Sequence, residues 1–294
     1  MKQDDRPSTL TRRSALSYGA ALVGTGITAC ADDEQATGGG GGSATGPGSS
    51  TASGSGNGTS SANASTSVSG STATSTSSGS SGGWASGGTM SMTDKRSYPD
   101  PFEDPLGNPC TLTPEMTLGP CYADTIERED VSEGGTGLPV RLAFLVVDES
   151  CNPVPNATVD IWHTNIEGLY SGSDAASLCT LDDPEAVAGK WYRGVQTGGA
   201  DGKVYFDTCF PGWYGGRAIH IHFQVRVGNQ VYATSQIFWP QAIVDEIFAT
   251  HPEYVGFGQP DTSNAADGIY EAATEVEYAQ MTDGAMLAWK VVVV

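Results

Sequence analysis

Four histidines in 294 residues leave little for a site made of imidazole alone, and a dismutase-like copper–zinc centre would need more. Positive charge is also scarce. Fourteen Lys and Arg face 34 Asp and Glu, a formal net charge of −20. Such a surface repels nucleic acid and anionic lipid, which argues against both as partners. It repels anionic ligands too, so a site for one must bring its own local positive charge. None of the six cysteines is spaced Cys-x-x-Cys, which argues against a zinc knuckle. No internal repeat is present. The best apolar run, Ala15 to Ala29, is short, rich in Gly and Ala, and too weak to span a membrane as a stable helix.

What is there divides into three parts, 1–30, 31–94 and 95–294. Arg12-Arg13 ahead of the apolar run resembles a twin-arginine export signal, a route that carries folded, cofactor-loaded proteins. "ITAC", Ile27–Cys30, resembles a lipobox; the competing reading is an ordinary cleaved signal with an incidental cysteine. The expectation is an exported bacterial envelope protein whose contact with the membrane is a lipid anchor at Cys30. Within 31–94, Thr37 to about Thr93 is almost all Gly, Ser, Thr, Ala and Asn, with a lone Trp84. Such a stretch buries too little apolar surface to offset its ordering entropy, which predicts a disordered tether. With Cys30 lipidated, Cys110, Cys121, Cys151, Cys179 and Cys209 remain. Two disulfides and one free thiol suit an oxidising compartment, and the sequence leaves the pairing open.

In 95–294, short β-branched stretches recur between Gly, Pro and Asn turns: Val140–Asp148, Ala157–Thr164, Lys203–Thr208, Ala218–Val227, Gln230–Trp239 and the closing "AWKVVVV". This pattern predicts an all-β protein, an antiparallel β-sandwich with long loops. The helix of note is Pro240–His251, with Pro near its start and apolar residues at helical spacing. His251 ends it, where a positive side chain suits the helix dipole.

Half of the histidines fall in "PGWYGGRAIHIHFQV". From Ala218 onward Ile219, Ile221, Phe223, Val225 and Val227 take one side of a strand, and His220, His222, Gln224 and Arg226 the other. One face feeds a core while two imidazoles point the same way. A cupin-like site would need a carboxylate after the pair, and none follows. A three-histidine zinc site recruiting His163 or His251 stays open. Tyr214, in the Pro/Gly loop that enters the strand, changes the balance. Gly215 and Gly216 beside it suggest a close approach of backbone to a ligand. Tyr170, in "DIWHTNIEGLYSG", is a second tyrosine with glycine on both sides. Two phenols and two imidazoles suit Fe(III), a hard cation able to ionise a phenol near neutral pH; zinc prefers imidazole, thiolate or carboxylate.

"DIWHTNIEGLYSG", "YRGVQTGGADGKVYFDTCFPGWYGGRAIHIHFQV" and "TSQIFW" together resemble the intradiol ring-cleavage dioxygenases, the protocatechuate and catechol dioxygenase family, from about Cys110 to the C-terminus. The resemblance implies a β-sandwich holding one non-haem Fe(III) per chain and no organic cofactor. The substrates it implies are a catechol-type diol and O2, giving a cis,cis-muconate-type diacid. Tyr170 and His222 match the family's equatorial ligands, and Tyr214 and His220 its axial pair, with Tyr214 leaving when substrate binds. Arg217 and Gln236 fall where the family places groups that touch the substrate. Cys121 stands where relatives commonly carry an aromatic, and Thr164 where envelope-type relatives often carry cysteine.

Blander roles suit the other conspicuous residues. Tyr122 reads as a core or cleft-lining aromatic, Trp162, Trp213 and Trp239 as packing, and His163 as a buried hydrogen-bonder in phase with Val159 and Ile161. Arg193 is either a second positive group at the site mouth or half of a structural ion pair. The competing function is a non-catalytic envelope binding module with a structural metal, or a His-ligated zinc hydrolase.

Overall fold

The computed structural model describes residues 83–106 and 110–294. The expected signal and lipid anchor at Cys30, and most of the tether, lie outside them. Eight strands form among the described residues: β1 (Pro139–Val147), β2 (Ala157–Trp162), β3 (Arg193–Thr197), β4 (Lys203–Cys209), β5 (His220–Val227), β6 (Gln230–Phe238), β7 (Glu277–Gln280) and β8 (Met286–Val293). They make two four-stranded sheets, β4-β1-β8-β7 and β3-β2-β5-β6. Pairing is antiparallel apart from β1 with β8, which run parallel from Val140 opposite Met286. That departure from a purely antiparallel sandwich arises because the C-terminal strand enters between β1 and the edge strand β7.

The period-two alternation explains how the sheets meet. Ile221, Phe223 and Val225 of β5 join Val159 and Ile161 of β2, and face Leu142, Phe144 and Val146 of β1 and Phe206 of β4 in one apolar cluster. Phe144 and Phe223 touch across the sheets, with ring centres 5.4 Å apart. Each such ring contributes roughly 1.5–3 kcal/mol by leaving water. Two short helices that the sequence did not signal, α1 (Ser177–Thr180) and α2 (Pro184–Ala188), precede the predicted helix, which is present as α3 (Gln241–Thr250). In α2, Asp183 accepts from the Glu185 and Ala186 amides and Pro184 opens the first turn. Helix α3 (Gln241–Thr250) buries Ile243, Val244, Ile247 and Phe248.

Folded structure begins ahead of the expected boundary at Lys95. Trp84 packs on the core and donates from Nε1 to Glu246 at 2.9 Å, and the Ala85 amide donates to the Gly284 carbonyl at 2.8 Å. The one aromatic in a polar stretch is what pins it. His251, the residue that ends α3, belongs to the same contact: its Nε2 bonds the Ala85 carbonyl at 2.9 Å and its Nδ1 accepts from the Glu253 amide at 3.2 Å.

Candidate metal centre

The outer face of the sheet β3-β2-β5-β6 carries a row of register partners: Arg193 on β3, Trp162 on β2, His222 on β5 and Gln236 on β6. His220 stands one row along, opposite Phe238. All six side chains are buried. Trp162 lies flat on His222, with ring centres 5.0 Å apart and planes 9° from parallel. A Cβ at Gly119, whose φ is +77°, would come within 3.2 Å of the Cε1 edge of the His222 ring. His222 is thus stacked on an indole with a glycine backbone at its edge, and its Nδ1 has no protein partner.

Tyr170 arrives from the loop after β2. Asn165 closes that loop on itself, its Oδ1 accepting from the Glu167 and Leu169 amides at 3.0 and 2.9 Å. Tyr214 arrives from the loop before β5, and the two loops interlock through glycine. Gly168 has φ +79°, and a Cβ there would lie 2.0 Å from the Trp213 carbonyl oxygen, one residue before Tyr214. Thr164 adds a hydrogen bond to the Gly212 carbonyl at 2.7 Å. That backbone-to-backbone approach belongs to Gly168, while Gly216 supplies a turn at φ +82°.

These elements aim their polar atoms at one point. The Tyr170 and Tyr214 hydroxyls each lie 3.3 Å from His220 Nε2, and Arg217 Nη1 lies 3.5 Å from the same atom. His220 Nδ1–H donates to the Ala218 carbonyl at 2.7 Å, so Nε2 carries the lone pair. The two imidazole centres are 4.9 Å apart. Three donors on one lone pair, all at long range, are more than an imidazole can satisfy. The set suits a cation to which both phenol oxygens and Nε2 present lone pairs. Burial favours the neutral forms. It pushes His220 down to about 3, with Arg217 adding to it, and holds His222 well below the usual range. It likewise raises both tyrosines, Tyr170 well above its ordinary value. Ionised phenols here need a compensating positive charge, which a hard trivalent metal supplies.

Arg217 is fixed from two sides. Its Nη2 donates to Gln236 Oε1, and its Nε donates to Asp267 Oδ2 at 2.9 Å. Burial raises the Asp267 carboxyl, but the Ile269 and Ala218 amides and Arg217 together hold it below the carboxylate range. Sequence reasoning missed Asp267, since nothing in "NAADGIY" signals a carboxylate that closes on a residue 50 positions earlier. It also missed Gly119 as a wall against His222.

Other expectations settle differently. Arg193 is neither at the mouth nor in an ion pair with a carboxylate. It is fully buried, its Nε and Nη2 each donating at 2.6 Å, to the Ser171 and Cys121 carbonyls, with Cζ 5.9 Å from the Tyr170 ring centre. It clamps the two segments that bracket Tyr170. The disulfide Cys121–Cys179 joins the same segments; Cys110–Cys151 is the second bridge, and Cys209 is a buried free thiol. Tyr122 stacks edge-on against Trp162 at 5.0 Å and donates to Asp160 at 3.3 Å. Trp213 is half-buried and Trp239 lies in the core. His163 is spent, bonding Thr164 O through Nδ1 at 2.8 Å and Thr208 Oγ1 through Nε2 at 2.7 Å. With His251 engaged as well, neither offers a third imidazole for zinc. Among the described residues no three His, Cys, Asp or Glu side chains gather as a metal group; this set relies on tyrosine.

The fold is similar to that of the intradiol ring-cleavage dioxygenases. In particular, the chain is similar to an intradiol ring-cleavage dioxygenase from Tetranychus urticae, with TM-score 0.56 and 25% identity over 63% of this chain and 94% of that one. By sequence it is 27% identical over 148 residues to catechol 1,2-dioxygenase 1 of Acinetobacter lwoffii, 42% of this chain and 45% of that protein. It is 32% identical over 76 residues to hydroxyquinol 1,2-dioxygenase of Rhodococcus opacus, 25% of this chain and 22% of that protein. The matches thus span about half or less of these two curated relatives. No family model matches the chain.

Proposed function

We propose that this chain is a non-haem Fe(III)-dependent intradiol dioxygenase that opens a catechol-type diol to a cis,cis-muconate-type diacid. The observation that carries this reading is the convergence of two phenol oxygens on His220 Nε2, with His222 alongside. Tyr170, Tyr214, His220 and His222 would hold the metal. Fe(III) bound there would supply Lewis acidity toward the diol oxygens.

The remaining work belongs to side chains. Tyr170 is fully buried and suits a permanent ligand. Tyr214 is half-buried beside the exposed Gly215 and Gly216, and suits a ligand that leaves and accepts a diol proton at its phenol oxygen. Arg217 holds positive charge beside the site, where the ring takes on carbanion character. It also offsets the acidic surface locally. Both oxygen atoms of O2 end in the diacid, so no outside reductant is required.

An exported envelope location goes with this reading. The Arg12-Arg13 signal and Cys30 support it, and two disulfides among the described residues suit an oxidising compartment. The test is turnover of catechol under 18O2. Two labelled atoms in a ring-opened diacid are expected. Absence of O2 uptake with catechol and hydroxyquinol, despite full metal loading, would return the chain to a binding module.

A further inference from the structure

We propose that Asp267 is a positioning residue of this site, its carboxylate aligning the Arg217 guanidinium and the Ala218–His220 turn as one unit. The inference rests on the diol-cleaving reading above and adds to it a residue outside the four ligands and the Arg217–Gln236 pair. Asp267 Oδ2 accepts from Arg217 Nε and from the Ala218 amide, both at 2.9 Å. Its Oδ1 accepts from the Ile269 amide, also at 2.9 Å. The side chain is only 1% exposed, so these bonds are shielded from competing water.

Each bond reaches a different part of the site. Ala218, held through its amide by Asp267, uses its carbonyl to orient the His220 ring through Nδ1 at 2.7 Å. Arg217, held through Nε, presents Nη2 to Gln236 and Nη1 toward His220 Nε2 at 3.5 Å. A planar guanidinium pinned at both Nε and Nη2 has no swing left, so the direction of Nη1 is set. Release of Nε would let it hinge about the Gln236 contact. The carboxylate is itself anchored. Asn264, three residues earlier, donates from Nδ2 to the Trp239 carbonyl at 2.8 Å, and its amide donates to Gln241 Oε1 at 2.8 Å. Asp267 therefore ties the arginine to the β6–α3 junction. An amide cannot replace it fully. An Asn oxygen could serve Arg217 and Ala218, but its NH2 would then face the Ile269 N–H, donor against donor.

The test uses the full chain with Asp267→Asn, Asp267→Glu and Arg217→Lys, and the Asp267→Asn/Arg217→Lys double variant. Iron content, thermal midpoint, anaerobic catechol binding by the visible band, and kcat are read for each. Asp267→Asn should keep its iron and bind catechol within about threefold of the parent, while kcat falls roughly ten- to a hundredfold, the scale of a misaligned preorganised donor. Asp267→Glu keeps the charge on a longer arm and should show the same split at smaller size, which serves if the Asn variant folds poorly. In the Arg217→Lys background, Asp267→Asn should cost less than about threefold more, because the group it acts through is already altered. Unchanged kcat, or fully multiplicative losses in the double variant, overturns the proposal. So does loss of iron and thermal midpoint in step with kcat, the mark of a mere loop tether. A parent protein without iron or visible band would instead sink the functional reading, which keeps the two failures apart.

Discussion

A phenol that is 1% exposed and one that is half-buried at a loop tip respond differently to losing their oxygen. Tyr170→Phe leaves a packed ring and a missing ligand where water cannot easily enter, so iron content and colour should both fall several-fold. Tyr214→Phe opens a position that water can occupy. It should keep more iron and lose activity through the absent base, by roughly a hundredfold. Metal analysis and the visible spectrum, beside O2 uptake, check the pair. Equal iron loss in both variants would contradict the assigned roles. At this scale the sequence was most legible where chemistry is local: Tyr214, Arg217, His220 and His222 fall within nine residues. Asp267 was not legible, because a hydrogen bond spanning 50 positions leaves no mark on spacing.

Among elements, the two tyrosine loops matter as a pair, because Gly168 lets one rest on the backbone of the other. Gly168→Ala combines a left-handed backbone, at φ +79°, with a Cβ 2.0 Å from a carbonyl oxygen that is not free to move far. Cost of at least about 1–3 kcal/mol follows from the conformation alone. A lower thermal midpoint with a parallel loss of iron is expected, and a variant that melts and loads like the parent would contradict the interlock. Strand β5 was readable because alternation over eight residues leaves one register that buries Ile221, Phe223 and Val225. Edge strands β3 and β7 were not. "RGVQT" and "EYAQ" are short and polar, and edge position rather than composition makes them strands. The parallel β1–β8 pairing joins residues 146 positions apart, as Val140 with Met286, beyond what local pattern encodes.

For the whole molecule, acidity and burial meet at Asp160. Its side chain is fully buried on the outer face of β2, with Oδ1 unpartnered, Tyr122 on Oδ2 at 3.3 Å and Arg226 at 3.6 Å. Burial pushes its pKa up to about 6 against hydrogen bonds and Arg226 that lower it. The folded state therefore holds this proton more tightly than the unfolded chain, whose carboxyl titrates near 3.8. Its contribution is most favourable below about pH 3.8 and is lost as pH rises through about 6. Between pH 4 and pH 7 the stability of Asp160→Asn should gain on the parent by about 2–3 kcal/mol. Denaturant midpoints at both pH values measure this, and a constant difference would contradict it.

On the function proposed above, Tyr170, Tyr214, His220 and His222 hold Fe(III). Metal analysis of protein made with iron and zinc both available, with its visible spectrum, tests that claim most directly. About one iron per chain with a phenolate charge-transfer band is the expected result. A colourless protein filled with zinc would contradict it.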